Sequence, residues 1–199
     1  IKCGNDFKIK TILLETGLSG KDNKYFNEPD YIFRDLFTAS IFINEEYPKL
    51  INIANQLKIN EKFNNVFISG ISKSGKSTFS SVLKDFIQEK FNVKCHVIRL
   101  DNYMLEPKNR GSFPKIYDIE KIENIFRERH DGKSITILKQ QYDKFNRTIV
   151  YSNNSVTIDK NEWVIFEGLI SFNLSNKFFS NNQFYIECDE IECKERFKR

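Results

Sequence analysis

The stretch Gly70-Ile71-Ser72-Lys73-Ser74-Gly75-Lys76-Ser77-Thr78 constrains this chain more than any other. It follows the apolar run "NVFIS" and precedes a segment in which Phe79, Val82, Leu83, Phe86 and Ile87 recur at helical spacing. A strand, a glycine-bracketed loop and a helix in that order place backbone N–H groups around phosphate oxygens. The start of the helix adds partial positive charge, Lys76 reaches the outer phosphates, and the Ser77 hydroxyl suits Mg²⁺. Gly70, Ser72, Lys73, Ser74, Gly75, Lys76, Ser77 and Thr78 are therefore expected to hold a nucleoside triphosphate with Mg²⁺.

Beyond the loop, strand and helix patterns alternate. "KCHVIRL", "EWVIFEG" and "NQFYIEC" read as buried strands, and 118–130 as a helix through Ile119, Ile122, Ile125 and Phe126. The fold class that follows is α/β: a P-loop NTPase-type parallel sheet with helices on both faces, plus an N-terminal strand–helix appendage. Ligands of such sheets gather at the carboxyl ends of the strands. Asp101 follows "HVIRL" and Glu167 closes "WVIFE", so both carboxylates are expected there. With Ser77 they make an oxygen-rich Mg²⁺ site, and one of them can accept the proton of an attacking hydroxyl. The N-K-x-D element of GTPases is absent from the sequence, which argues against a GTP switch.

Composition narrows the partners. A chain of 199 residues, 40% hydrophobic, suits one main domain with an appendage. Its net charge of +4 and pI near 8.7 fit phosphate-bearing small molecules and fall short of the basic face of a nucleic-acid binder. Cys3, Cys95, Cys188 and Cys193 show no metal-ligand spacing and read as reduced thiols of a cytoplasmic protein. The sequence has neither a signal-peptide pattern nor an apolar run near the ~18 residues of a membrane helix. No membrane partner is expected; a homo-oligomer is compatible with all of this.

The first sixty residues are organised differently. "KTILLETG" (10–17) reads as a strand, and Glu28-Pro29-Asp30 as the opening of a helix with Ile32, Leu36, Ala39 and Ile43 on its apolar face. A second helix is expected over 47–59. The division expected is an appendage at 1–45, a helical connector at 46–62 and a P-loop domain at 63–199.

Residues 65–199 resemble the uridine kinase and phosphoribulokinase branch of P-loop kinases. The resemblance runs in order through "GISKSGKST", "RLDNY", "FPKIYD", "QQYD", "VIFEGL" and "IECDEIECKERFKR". It implies an ATP-dependent kinase acting on a hydroxyl of a small metabolite: a nucleoside, sugar or hydroxy acid. Asp101 would be the general base, Lys76 would stabilise developing charge, and Ser77, Asp101 and Glu167 would hold Mg²⁺. Tyr103, Tyr142 and Asp143 would line the acceptor pocket, and Arg196 and Arg199 would belong to a lid that closes over the phosphates. Two departures point away from uridine. Ser112 stands where an acidic residue precedes the acceptor-site helix, and "YDKFNR" carries Asn146 and Arg147 where a histidine is usual. Arg110 and Arg147 are candidates to recognise an anionic group on the acceptor, and either equally suits a plain surface position.

The segment 1–43 resembles the C-terminal end of a HAD-type phosphatase of the heptose-bisphosphate or histidinol-phosphate kind, through Gly4, "KTILLETG" and "PDYIFRDLFTASIFI". It implies a phosphatase–kinase fusion, the alternative being a family-specific extension that packs on the kinase. Opening at Ile1 and closing inside the helical-looking "ECKERFKR", the chain reads as a fragment with a truncated lid. Two other functions stay open: a polynucleotide 5′-kinase of a phosphatase–kinase fusion, and a non-catalytic nucleotide-binding module.

Overall fold

The structure, a computed structural model, describes residues 9–16, 29–143, 146–179, 181–189, 191 and 193. The chain forms β1 (Ile12–Leu14) and β2 (Tyr31–Phe33), then α1 (Leu36–Ile41), which runs through a π-helical turn (Phe42–Glu46) into α2 (Tyr47–Gln56). Next come β3 (Asn65–Gly70), α3 (Lys76–Phe91), β4 (Cys95–Arg99), 3₁₀ turns at Leu100–Tyr103 and Pro107–Asn109, and α4 (Ile119–His130). The antiparallel hairpin β5 (Ile135–Asp143) and β6 (Thr148–Ile158) follows, then β7 (Trp163–Glu167), α5 (Ser171–Ser175) and β8 (Gln183–Ile186).

β4, β7, β3 and β8 lie in that order in one parallel sheet. All six residues of β3 and all five of β7 are buried, as expected of central strands covered on both faces. Alternate residues of β3 serve opposite layers. Val66 and Ile68 pack toward α3 with Leu83, Ile87, Trp163 and Ile165. Phe67 turns the other way, toward α4, stacking on Phe166 at 5.2 Å, while Phe126 meets Phe166 edge-on at 4.6 Å. The register sets Ile68 beside Glu167, Arg99 beside Glu167, and Gly70 beside Ile186, so these strands end together. Among the described residues no helix is long and apolar enough to cross a membrane.

The N-terminal region departs from the sequence reading. Pro29-Asp30 opens no helix; residues 31–33 are a strand, parallel to β1. The Asp30 carboxylate accepts from the Thr11 backbone N–H and hydroxyl at 2.9 and 3.0 Å, which ties the segment to β1 before a helix can start. The helix begins six residues later, capped by Asp35, whose carboxylate accepts from the Thr38 N–H at 2.8 Å. Ile32, Leu36 and Ile43 are exposed; the buried face is Tyr31, Ala39 and Phe42. Tyr31 and Phe42 pack on Val82 of α3. Asp85, also on α3 and fully buried, accepts from the Tyr31 hydroxyl at 2.7 Å and pairs with Lys10. The helix expected over 47–59 stops at Gln56, where Leu57 turns extended. The β5–β6 hairpin has no counterpart in the sequence reading.

Candidate active site

β3 delivers the chain to Gly70, whose φ of +151° and close neighbours leave no room for a side chain. A Cβ there would lie 2.4 Å from the Ile186 carbonyl oxygen and 2.9 Å from Ser74 Oγ. The loop then passes through Lys73 and Gly75, both at positive φ, and α3 begins at Lys76 with no side-chain cap on its first N–H groups. Those groups and the helix dipole face the loop's concavity, an arrangement that binds anions. Lys76 is buried and its ammonium donates to the Ile71 carbonyl oxygen at 2.6 Å, across the loop. Ser74 Oγ is buried without a hydrogen-bond partner among the described residues. A loop that leaves a polar oxygen unmatched while excluding any side chain at Gly70 fits a phosphate ligand.

The carboxylates converge on this loop as their strand ends predict. Ser77 donates its hydroxyl to Glu167 Oε2 at 3.1 Å. Glu167 is buried, and burial raises its pKa; the Asp101 charge raises it further, while Lys76 and the Ser77 hydroxyl oppose the rise. Asp101 sits on the 3₁₀ turn after β4 and accepts from the Tyr117 hydroxyl at 3.3 Å. Burial pushes the Tyr117 phenol well above its ordinary range, with the Asp101 charge adding to it, so Tyr117 remains a proton donor to Asp101. A hydroxyl and two carboxylates form a hard oxygen donor set of the kind Mg²⁺ takes.

Beside them opens a cavity of about 250 Å³ lined by Ser72, Lys76, Asp101, Met104, Tyr117, Tyr142 and Leu169. The hairpin brings Tyr142 there. Gln140 on β5 donates to the Asn102 carbonyl oxygen at 2.6 Å and accepts from Lys121 at 2.6 Å, fastening the hairpin to the turn that carries Asp101.

A family model of an AAA domain matches residues 66–199, well over half of the chain. The chain belongs to that family. Solved structures with the same architecture include a protein named as a possible uridine kinase, from Bacillus stearothermophilus. It superimposes with a TM-score of 0.53 over 76% of this chain and 84% of that one, at 19% identity. A protein named as a candidate fructose transport system kinase, from Silicibacter sp. TM1040, gives 0.56 over 74% and 78%, at 15% identity. At these identities the likeness speaks for the fold alone, a parallel α/β sheet shared with these two proteins. No curated protein sequence matches the chain.

Within this AAA-domain member the remaining predicted residues separate. Arg110 is half-buried behind Tyr142, donating to its hydroxyl and to the Leu105 carbonyl oxygen. Tyr103 is buried in the core under α4, with the Lys121 ammonium 5.5 Å from its ring; burial pushes its phenol up to about 12. It lines the broad groove outside β4 rather than the cavity. Asp143 turns into the hairpin loop, where its carboxylate accepts from the Asn146 backbone N–H at 3.0 Å and side-chain amide at 2.7 Å. Arg147 is exposed at the tip of that loop. Arg196 and Arg199 lie outside the described residues. Sequence reasoning passed over Tyr117 and Gln140, although both stand inside the quoted motifs "FPKIYD" and "QQYD"; only the fold shows what each bonds to.

Proposed function

We propose that the protein is a kinase that transfers the γ-phosphoryl group of ATP to a hydroxyl of a small metabolite. The observation that carries the reading is the convergence of Lys76, Ser77, Asp101 and Glu167 at the mouth of a cavity suited to an acceptor. In this reading Gly70, Ser72, Lys73, Ser74, Gly75 and Thr78 shape the phosphate cradle with Lys76 and Ser77. Ser77, Asp101 and Glu167 would hold Mg²⁺, which would neutralise charge on the outer phosphates. Asp101 accepts the proton of the acceptor hydroxyl, and Tyr117 orients it through the hydrogen bond to Oδ1. Lys76 exchanges its bond to the Ile71 carbonyl for phosphate oxygens and balances charge as it builds. Tyr142 and Arg110 wall the acceptor side, and Arg196 and Arg199 are proposed as lid arginines.

The test is ATP consumption with Mg²⁺ against a panel of nucleosides, sugars and hydroxy acids. Stimulation by an acceptor is the expected result. Asp101→Asn should lower turnover about 10²–10⁴-fold while nucleotide binding persists. Transfer that survives this change removes Asp101 as the base. Nucleotide binding with no acceptor dependence at all would make the protein a nucleotide-binding module instead.

For residues 1–45 we hold to the phosphatase-type tail, with 46–62 as connector and 63–199 as the kinase domain. The parallel β1–β2 pair supports it, since such a pair is a piece of a larger parallel sheet more often than a unit by itself. Sugar-bisphosphate hydrolysis by the natural polypeptide is the check, and its absence removes the reading.

A further inference from the structure

Three arginines contrast in how their donors are used. Arg129 is buried, and its fork is spent on the fold: Nε donates to Asn65 Oδ1, and the two terminal nitrogens to the Asp159 and Glu162 carbonyl oxygens, at 2.9–3.1 Å. Arg147 is exposed at a loop tip. Arg110 is different. Its Nε donates to the Leu105 carbonyl oxygen at 2.7 Å, Nη2 donates to the Tyr142 hydroxyl, and its guanidinium lies 5.1 Å from the centre of the Tyr142 ring. Two neutral oxygens thus hold it in place, and among the described residues no carboxylate pairs with it.

A guanidinium offers five N–H donors in a planar fork, so most of this one's capacity is left over. A partly buried cation held without a counter-charge favours an anion beside it, and the fork matches carboxylate or phosphate oxygens two at a time. Its surroundings lead to the cavity. Tyr142 lines that space, and the Arg110 charge reaches Tyr117 on the same lining, next to Asp101. At about 250 Å³ the space lies below the roughly 300–1,000 Å³ of sites that take drug-sized ligands.

The geometry points to an acceptor that is a compact hydroxylated oxyanion, bearing a carboxylate or a phosphate monoester held by Arg110 while its hydroxyl is presented to Asp101. This rests on the kinase reading for the role of the hydroxyl, but the oxyanion site can be tested without turnover. The charged group is unchanged by the transfer; it fixes which molecule enters.

The experiment uses matched triples: glycerol, glycerate and glycerol 3-phosphate; ribose, ribonate and ribose 5-phosphate. Binding is measured by calorimetry with the P-loop filled by a non-hydrolysable ATP analogue and Mg²⁺, and ATP consumption is measured separately. A charged member of a triple should bind where the neutral one does not, and whether it is the acid or the phosphate ester identifies the oxyanion. Arg110→Gln should weaken that binding about 10- to 100-fold, the loss of a charge-assisted pair. Arg110→Lys, which keeps the charge without the fork, should fall between. Neutral members binding as tightly as charged ones, no charged member binding, or an unchanged affinity in Arg110→Gln would each overturn the inference. Binding of an oxyanion with no ATP consumption would keep the site and remove the kinase reading. Equal stimulation by neutral members would keep the kinase and remove the oxyanion site.

Discussion

Replacing Gly70 by alanine tests whether the end of β3 is as tightly enclosed as the structure has it. Two terms add. A side chain at φ +151° costs about 1–3 kcal/mol in backbone strain alone. The new methyl would also lie 2.4 Å from the Ile186 carbonyl oxygen. Ile186 is the register partner of Gly70 in the β3–β8 ladder, so its oxygen can retreat only if the strands part. Overpacking of that kind adds about 1–3 kcal/mol. The expected loss is therefore about 2–6 kcal/mol, or roughly 4–24 °C in Tm at this chain length. Gly132→Ala is the matched control: its φ is +68°, but a Cβ there meets nothing within 4 Å, so about 1–2 kcal/mol of strain is all it should show. Urea and thermal melts of both variants, with titration by a fluorescent ATP analogue, separate the terms. Gly70→Ala should lose more stability than the control and bind nucleotide more weakly, because the displaced strand end carries the loop. Equal losses in the two variants, with equal nucleotide affinity, would refute the reasoning.

Two further outcomes follow from polar contacts away from the cavity. Asp85→Ala strips the Tyr31 hydroxyl and Lys10 of their partner under the N-terminal segment; stability should fall by about 1–3 kcal/mol and proteolysis within 29–56 should quicken, whereas unchanged urea melts would show that the tie contributes nothing. Glu162 concerns acid stability. Burial pushes its pKa up, but bonds from Lys94, His96 and the Asp159 N–H outweigh burial and hold it at about 2, below the ordinary 4.5. A depressed folded value means that the stabilisation is complete above about pH 4.5 and is lost as the pH falls toward 2. Glu162→Gln should flatten that limb of the unfolding-midpoint curve, and an unaltered limb would count against the assignment.

Where sequence reading reached the fold, the signal was local. The P-loop needs only a buried strand, two glycines and a helix start, all within 65–91, and Asp101 and Glu167 were recognisable because each ends an apolar strand. Where it missed, a distant partner decided. Pro29-Asp30 carries the marks of a helix start, yet Thr11 claims the Asp30 carboxylate and Tyr31 docks on Asp85, far along the chain. The hairpin's two strands stabilise each other across a register that includes a bulge between Leu138 and Gln140, and no period within either segment reveals it. The lining of the cavity depended on the same long-range placement. Tyr142 reaches the cavity only because Gln140 bonds the Asn102 carbonyl, while Asp143, its chain neighbour, is consumed by the hairpin turn.

By itself the sequence determined the parallel P-loop scaffold and the two carboxylates at its strand ends, because those follow from short-range spacing and from the burial of apolar runs. Which of the arginines and tyrosines stands at the cavity was decided only by tertiary structure. A residue's place along the chain says nothing of whether its donors are already spent. Arg110 and Arg129 look alike in the sequence, but one has its fork filled by carbonyl and amide oxygens of the fold, and the other keeps most of its donors beside the cavity.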